Sequence, residues 1–185
     1  MAIFNALVVI FWIIFALYWL FSAIGVKKNI RNEEWRRNAG IRILLAVIVV
    51  ILFQVGSSWQ FSEYRFGEGV QLIGVVLCAA GVAFAIWARR CLGKNWSGTP
   101  AMKEGHELVT SGPYRFVRHP IYTGMLTAIL GSALVGGVIW FAVFIIFCAN
   151  FFYRVPIEER YMSQLFPNQY PEYKKRTKAV VPFVW

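Results

Sequence analysis

The sequence contains no aspartate; all nine of its acids are glutamate. EF-hand loops and the Asp-rich cages that hold Ca²⁺ or Mg²⁺ therefore have no support. Cysteine is sparse. Cys78, Cys91 and Cys148 are scattered and form no CxxC pair. Neither a zinc cluster nor a disulfide framework follows from that spacing, and they read as small apolar fillers. No GxGxxG follows a strand-like run, and no strand–helix alternation is visible, which excludes a soluble Rossmann architecture. Charged residues make up only 15% of the chain, against about 25% in soluble domains. There is no internal repeat, low-complexity tract or flexible linker, and 185 residues suit a single domain.

What is abundant is apolar. The hydrophobic share is 58%, above the roughly 45–50% of soluble domains. That excludes disorder and points to lipid as the solvent. Ile3 to Val26 carries no charge and is long enough to span a hydrocarbon core, which takes about 20 residues. It lacks the basic start of a signal peptide and reads as a retained helix. Further uncharged runs extend from Ile43 to about Phe61 and from about Val70 to Ala88. In the latter, Gly74, Cys78, Gly81 and Ala85 share one helical face, where another helix can approach closely. The last run, Ile121 to Tyr153, is 33 residues long. One straight helix of that length would reach roughly 50 Å, so a turn is expected at Gly136-Gly137.

Charge placement gives an orientation. The chain carries 19 basic residues and a net charge of +10. With a hairpin at 121–153, eighteen of the nineteen fall on one side, and only Arg65 falls on the other. The positive-inside rule makes the crowded side cytoplasmic. The expectation is an all-α integral membrane protein of five transmembrane helices, the last two forming a helical hairpin. Its N-terminus lies outside and its C-terminus in the cytoplasm. Residues 1–90 supply the first three helices of one membrane domain, and 91–185 supply the rest. Trp59, Phe61, Tyr64 and Trp140 fall near the outer interface as aromatic anchors. No retention signal is visible, and a prokaryotic inner membrane is the expected location. This topology accounts for the net charge, so nucleic acid is not an expected partner.

The polar residues gather in two pieces. Residues 91–122 read CLGKNWSGTPAMKEGHELVTSGPYRFVRHPIY and hold both histidines, His106 and His119. Such density of Gly, Pro and Tyr marks a loop built from turns. Pro120 suits the first turn of a helix, so Arg118-His119-Pro120 marks the cytoplasmic start of the fourth helix. Its unpaired N–H groups suit a carboxylate. Tyr122 lies three residues after His119 and shares its face. Taken singly, Arg118 reads equally well as a snorkelling interface residue and His119 as an interfacial histidine. The second piece follows the hairpin. Arg154 and Glu158 are four apart, Glu159 is next, and Pro156 between them is expected to bend the helix as it leaves the bilayer. Ionisable groups at that boundary are functional candidates, and a hairpin returns them beside His119.

LGKNWS (92–97), EGHELVTSGPYRFVRHPIY (104–122) and RVPIEERYMSQLFPNQYPEYKKRT (154–177) resemble the isoprenylcysteine carboxyl methyltransferase family, part of a wider group that includes phospholipid N-methyltransferases. The resemblance covers roughly residues 91–185. It implies a membrane methyltransferase that uses S-adenosylmethionine (SAM) in a cytoplasmic pocket. Carried over by motif, His106, Leu108, Val109, Gly112, Tyr114, His119, Pro120 and Tyr122 would line that pocket. Glu158 would hold the cofactor's α-ammonium. Arg154 would be the catalytic or substrate-orienting residue, and Asn95 and Trp96 would border the substrate entrance. Charge agrees: Arg118, His119 and loop amides suit the α-carboxylate, and aromatic faces suit the sulfonium.

Two chemistries stay open. A carboxylate acceptor needs positioning and removal of water but no base, and Arg154 can grip it bidentately. An amine acceptor must first lose a proton, with Glu159 or His119 as base. O-methylation of a lipidic acid that enters from the bilayer is the favoured expectation; no metal is expected. An NADPH-dependent sterol-type reductase shares a GxY…RHPNY-like segment, but Ile121, Met125 and the Glu158-Glu159 pair fit it less well.

Overall fold

The structure, a computed structural model, describes residues 2–22, 66–93 and 107–181. The second expected span, the anchors Trp59, Phe61 and Tyr64, and the candidates Asn95, Trp96 and His106 lie outside the described residues. The elements are α1 (Ala2–Ser22), α2 (Glu68–Leu92), a 3-10 turn (Gly112–Arg115), α3 (Pro120–Gly136), α4 (Val138–Leu165) and α5 (Gln169–Arg176). Among the described residues the one β feature is an isolated parallel bridge between Val117 and Lys178. Three of these helices, α1, α2 and α4, are long and apolar enough to cross a membrane, while α3 has 17 residues.

Small residues decide how α2 and α3 pack. A Cβ placed on Gly81 would meet the Ala128 nitrogen at 2.4 Å, and one on Gly131 would meet the Cys78 nitrogen at 2.4 Å. Backbone thus lies almost on backbone, a contact that only small side chains allow. α1 packs across this pair, with Val8 in one cluster with Val75, Cys78, Val82, Ala128 and Val135. Trp12 and Ser132 carry polar atoms into that core, and both are satisfied. Trp12 Nε1 donates to Ser132 Oγ at 3.0 Å, and Ser132 Oγ donates to the Ala128 carbonyl at 2.9 Å, as an apolar solvent requires.

The turn between α3 and α4 falls at Gly137, whose φ of 88° lies in the left-handed region. Early residues of α3 then meet late residues of α4: Tyr122 stacks on Phe151, and His119 faces Glu158. α4 runs 28 residues and carries Arg154, Pro156, Glu158 and Glu159 within it. Pro156 has no N–H to give to the Phe152 carbonyl, yet the helix continues, because one face is held by packing on either side of the proline: Val155 is buried against Ala179 and Val180, and Phe151 stacks on Tyr122.

Candidate active site

The Ser111-Gly112-Pro113 sequence sets the first wall. Gly112 has φ 60°, a conformation glycine adopts without strain, and a Cβ there would lie 2.8 Å from Cys91 Sγ. The turn buries Tyr114, whose carbonyl accepts a 2.6 Å hydrogen bond from the Tyr173 hydroxyl. Burial pushes the pKa of both tyrosines up, so they stay neutral.

The C-terminal segment straps the start of α3. The Arg118 and His119 backbone N–H groups donate to the Lys178 and Ala179 carbonyls at 2.8 and 2.9 Å. Thr123 Oγ1 donates to the Val180 carbonyl at 2.6 Å. The chain itself thus takes the two N–H groups that directly precede α3.

Spacing on α4 does the rest. Phe151, Arg154 and Glu158 recur at three and four residues and share one face. Tyr122 lies parallel to Phe151 at 4.1 Å between ring centroids and to His119 at 5.5 Å. Its hydroxyl donates to Glu158 Oε1 at 2.5 Å. Arg154 donates to the same oxygen at 3.0 Å through Nη2 and 3.3 Å through Nε, with its guanidinium 5.8 Å from the Tyr122 ring. His119 sits between the two glutamates, with Nδ1 3.5 Å from Glu158 and Nε2 3.6 Å from Glu159. Nε2 is buried and makes no hydrogen bond. Burial draws the imidazole toward the neutral form, but Glu158 and Glu159 outweigh it and hold its pKa above the ordinary histidine value.

Glu159 lies roughly 100° further round the helix than Glu158. It pairs with Arg118 at 2.7 Å and with Lys174 at 2.6 Å. Arg118 also donates to the Thr177 carbonyl. Arg118, expected at the cofactor, and Glu159, expected in catalysis, bind each other, and with Lys174 they join the tail to α4. A cleft of about 370 Å³ opens beside this pair, lined by Val155, Pro156, Arg160, Ser163 and Ala179 among others. Pro120 is buried at the start of α3, and Leu108 and Val109 are half-buried before the turn.

Phe151, Thr123, Tyr173 and Lys174 were missed by sequence reasoning. Phe151 stands one turn before Arg154 and was visible as a face-mate. The other three act through tail contacts that no spacing reveals.

The phospholipid methyltransferase family model matches residues 70–169, more than half of the chain. The chain belongs to this family. It is similar to protein-S-isoprenylcysteine O-methyltransferase A of Arabidopsis thaliana, 39% identical over 145 residues that cover 76% of this chain and 70% of that protein. The B form from the same plant is 30% identical over the same shares. In fold it is similar to a eukaryotic intramembrane Ras methyltransferase, the isoprenylcysteine carboxyl methyltransferase, with a TM-score of 0.64 and 24% identity. That match covers 79% of this chain and 53% of the other. The chain is an integral membrane methyltransferase, and its Arg154–Glu158–Tyr122–His119 cluster falls at the paired ends of α3 and α4.

Proposed function

We propose that the protein methylates the carboxylate of a lipid-anchored acceptor, an isoprenylcysteine-like acid, with SAM as donor. The observation that carries this reading is the Arg154–Glu158–Tyr122–His119 cluster at the ends of two apolar helices. The residues fit the cofactor. Glu158 supplies a carboxylate for an α-ammonium, and the buried His119 Nε2, 3.6 Å from Glu159 and without a hydrogen bond, supplies a polar atom for a ligand group. When bound, SAM supplies an electrophilic methyl group on a sulfonium. Leu108, Val109, Gly112, Tyr114, Pro120 and Tyr122 complete the proposed cofactor walls, with His106 from the adjoining loop.

The chain's own work is positioning. A carboxylate is already ionised at neutral pH, so it needs orientation and exclusion of water. Arg154 holds Glu158 through Nε and Nη2, and its planar fork would turn from Glu158 to the acceptor. Glu159 is bound to Arg118 and Lys174 and is therefore a poor base, which leaves His119 as the base an amine acceptor would need. Asn95 and Trp96 are proposed at the entrance, with the acceptor arriving sideways from the bilayer. The same reading takes five spans, α3 and α4 forming the closing hairpin, the N-terminus outside and the C-terminus in the cytoplasm of a prokaryotic cell.

The test is methyl transfer from labelled SAM by purified protein, offered a farnesylated cysteine analogue and phosphatidylethanolamine in parallel. Label in a base-labile methyl ester is expected. Label confined to the amine headgroup overturns the acid acceptor, and binding of NADPH in place of SAM overturns the enzyme class. A C-terminal reporter active only outside the cytoplasm overturns the topology.

A further inference from the structure

The C-terminal segment is more basic than its structural role requires. Lys174, Lys175, Arg176 and Lys178 are exposed, and Arg115 is exposed on the adjoining turn. From 169 to 181 the one acid is Glu172, which binds Lys175 at 2.7 Å. Beneath this face Tyr170 and Tyr173 are buried and hold α5 to the protein. The strap then bonds to residues 117–119, directly before the apolar helix that begins at Pro120. The exposed cations thus stand at the level where the chain enters its apolar span. Phe116 and Val181 flank the Val117–Lys178 bridge and are about half exposed, at 48% and 47%. Cations beside apolar side chains at this depth match the boundary between lipid headgroups and acyl chains.

We propose that this tail surface docks anionic phospholipid headgroups of the cytoplasmic leaflet, and that docking tightens the strap holding Arg118 and His119. The two events share one element. Lys178 carries an exposed charge, while its carbonyl accepts the Arg118 N–H. Lys174 belongs to the face and also to the Glu159 pair. A headgroup that binds the strapped tail better than a loosened one must shift that equilibrium toward the strapped form. A basic residue at an anionic surface is worth about a fivefold gain in local binding. The inference rests on the membrane location of the chain and on the proposed cytoplasmic side of its tail, but does not depend on which acceptor is methylated.

The experiment places the full chain in nanodiscs of phosphatidylcholine alone or with one third phosphatidylglycerol. Amide hydrogen exchange is read in peptides covering 115–119 and 177–181, without cofactor or acceptor, so the outcome is separate from that of the methylation assay. Exchange of the Arg118 and His119 amides is expected to slow by about tenfold with phosphatidylglycerol, and the effect is expected to fade at high salt. The triple variant Lys175→Gln, Arg176→Gln, Lys178→Gln is expected to lose the response, and Lys175→Arg with Lys178→Arg is expected to keep it. Equal exchange in both bilayers overturns the proposal, as does full slowing in the glutamine variant. If the glutamine variant does not fold, the salt series on the unaltered chain decides: slowing that survives high salt overturns it.

Discussion

Replacing Glu159 with glutamine removes the charge that faces Arg118, Lys174 and His119 at 2.7, 2.6 and 3.6 Å. The Arg118 and Glu159 side chains are each 8% exposed, so water cannot replace the lost partner. Deleting one side of a buried pair costs about 3–5 kcal/mol. Glutamine keeps an acceptor oxygen, and Arg118 keeps the Thr177 carbonyl, so the low end, about 3 kcal/mol, is expected. For a chain of this length that lowers the unfolding midpoint by about 6–12 °C. Glu158→Gln is expected to act elsewhere. It removes a charged partner from the proposed ammonium site, which costs about 1.5–3 kcal/mol, or roughly tenfold to a hundredfold in affinity for S-adenosylhomocysteine. The assay pairs thermal unfolding in detergent with calorimetric binding on both variants. The reasoning fails if Glu159→Gln melts with the unaltered protein. It fails also if Glu159→Gln loses cofactor affinity as severely as Glu158→Gln at an unchanged midpoint.

Arg154→Ala is expected to reduce methyl transfer strongly while S-adenosylhomocysteine affinity stays within a few-fold; Arg154→Lys keeps the charge but loses the fork and should also be impaired. Full turnover in the alanine variant, measured with a farnesylated cysteine analogue, would contradict that role. Gly131→Ala places a Cβ 2.4 Å from the α2 backbone and should cost at least about 1–3 kcal/mol, whereas Gly69→Ala meets open space and should stay within about 0.5 kcal/mol; comparable melting of the two would show that the α2–α3 contact is looser than described. The raised pKa of His119 means the folded state binds its proton more tightly than the unfolded chain. Its contribution is full below about pH 6.5 and is lost as pH rises through the raised folded value. Melting temperature should therefore fall as pH rises above that point, and His119→Asn should flatten the curve.

The sequence by itself determined the solvent, the class of fold and the motif residues. Uncharged runs long enough to span a bilayer leave no soluble alternative, because a buried apolar helix of that length has nowhere else to go. The small-residue face of Gly74, Cys78, Gly81 and Ala85 could be read from spacing alone, since helical periodicity is a local property, and so could the turn at Gly136-Gly137, fixed by glycine's freedom. Arg154, Glu158, His119 and Tyr122 were likewise legible as one cluster once that turn was assumed. Only the tertiary structure decided which partners each charge meets. Glu158 and Glu159 are adjacent letters, yet a step of one residue turns a helix by roughly 100°. Glu158 therefore faces Tyr122 and Arg154, while Glu159 faces Arg118 and Lys174. The partner that gives Glu159 its anchoring place comes from a tail fifteen positions away. Pairing between distant segments leaves no periodic trace, which is why the strap over Arg118 and His119 was invisible until the chain was folded.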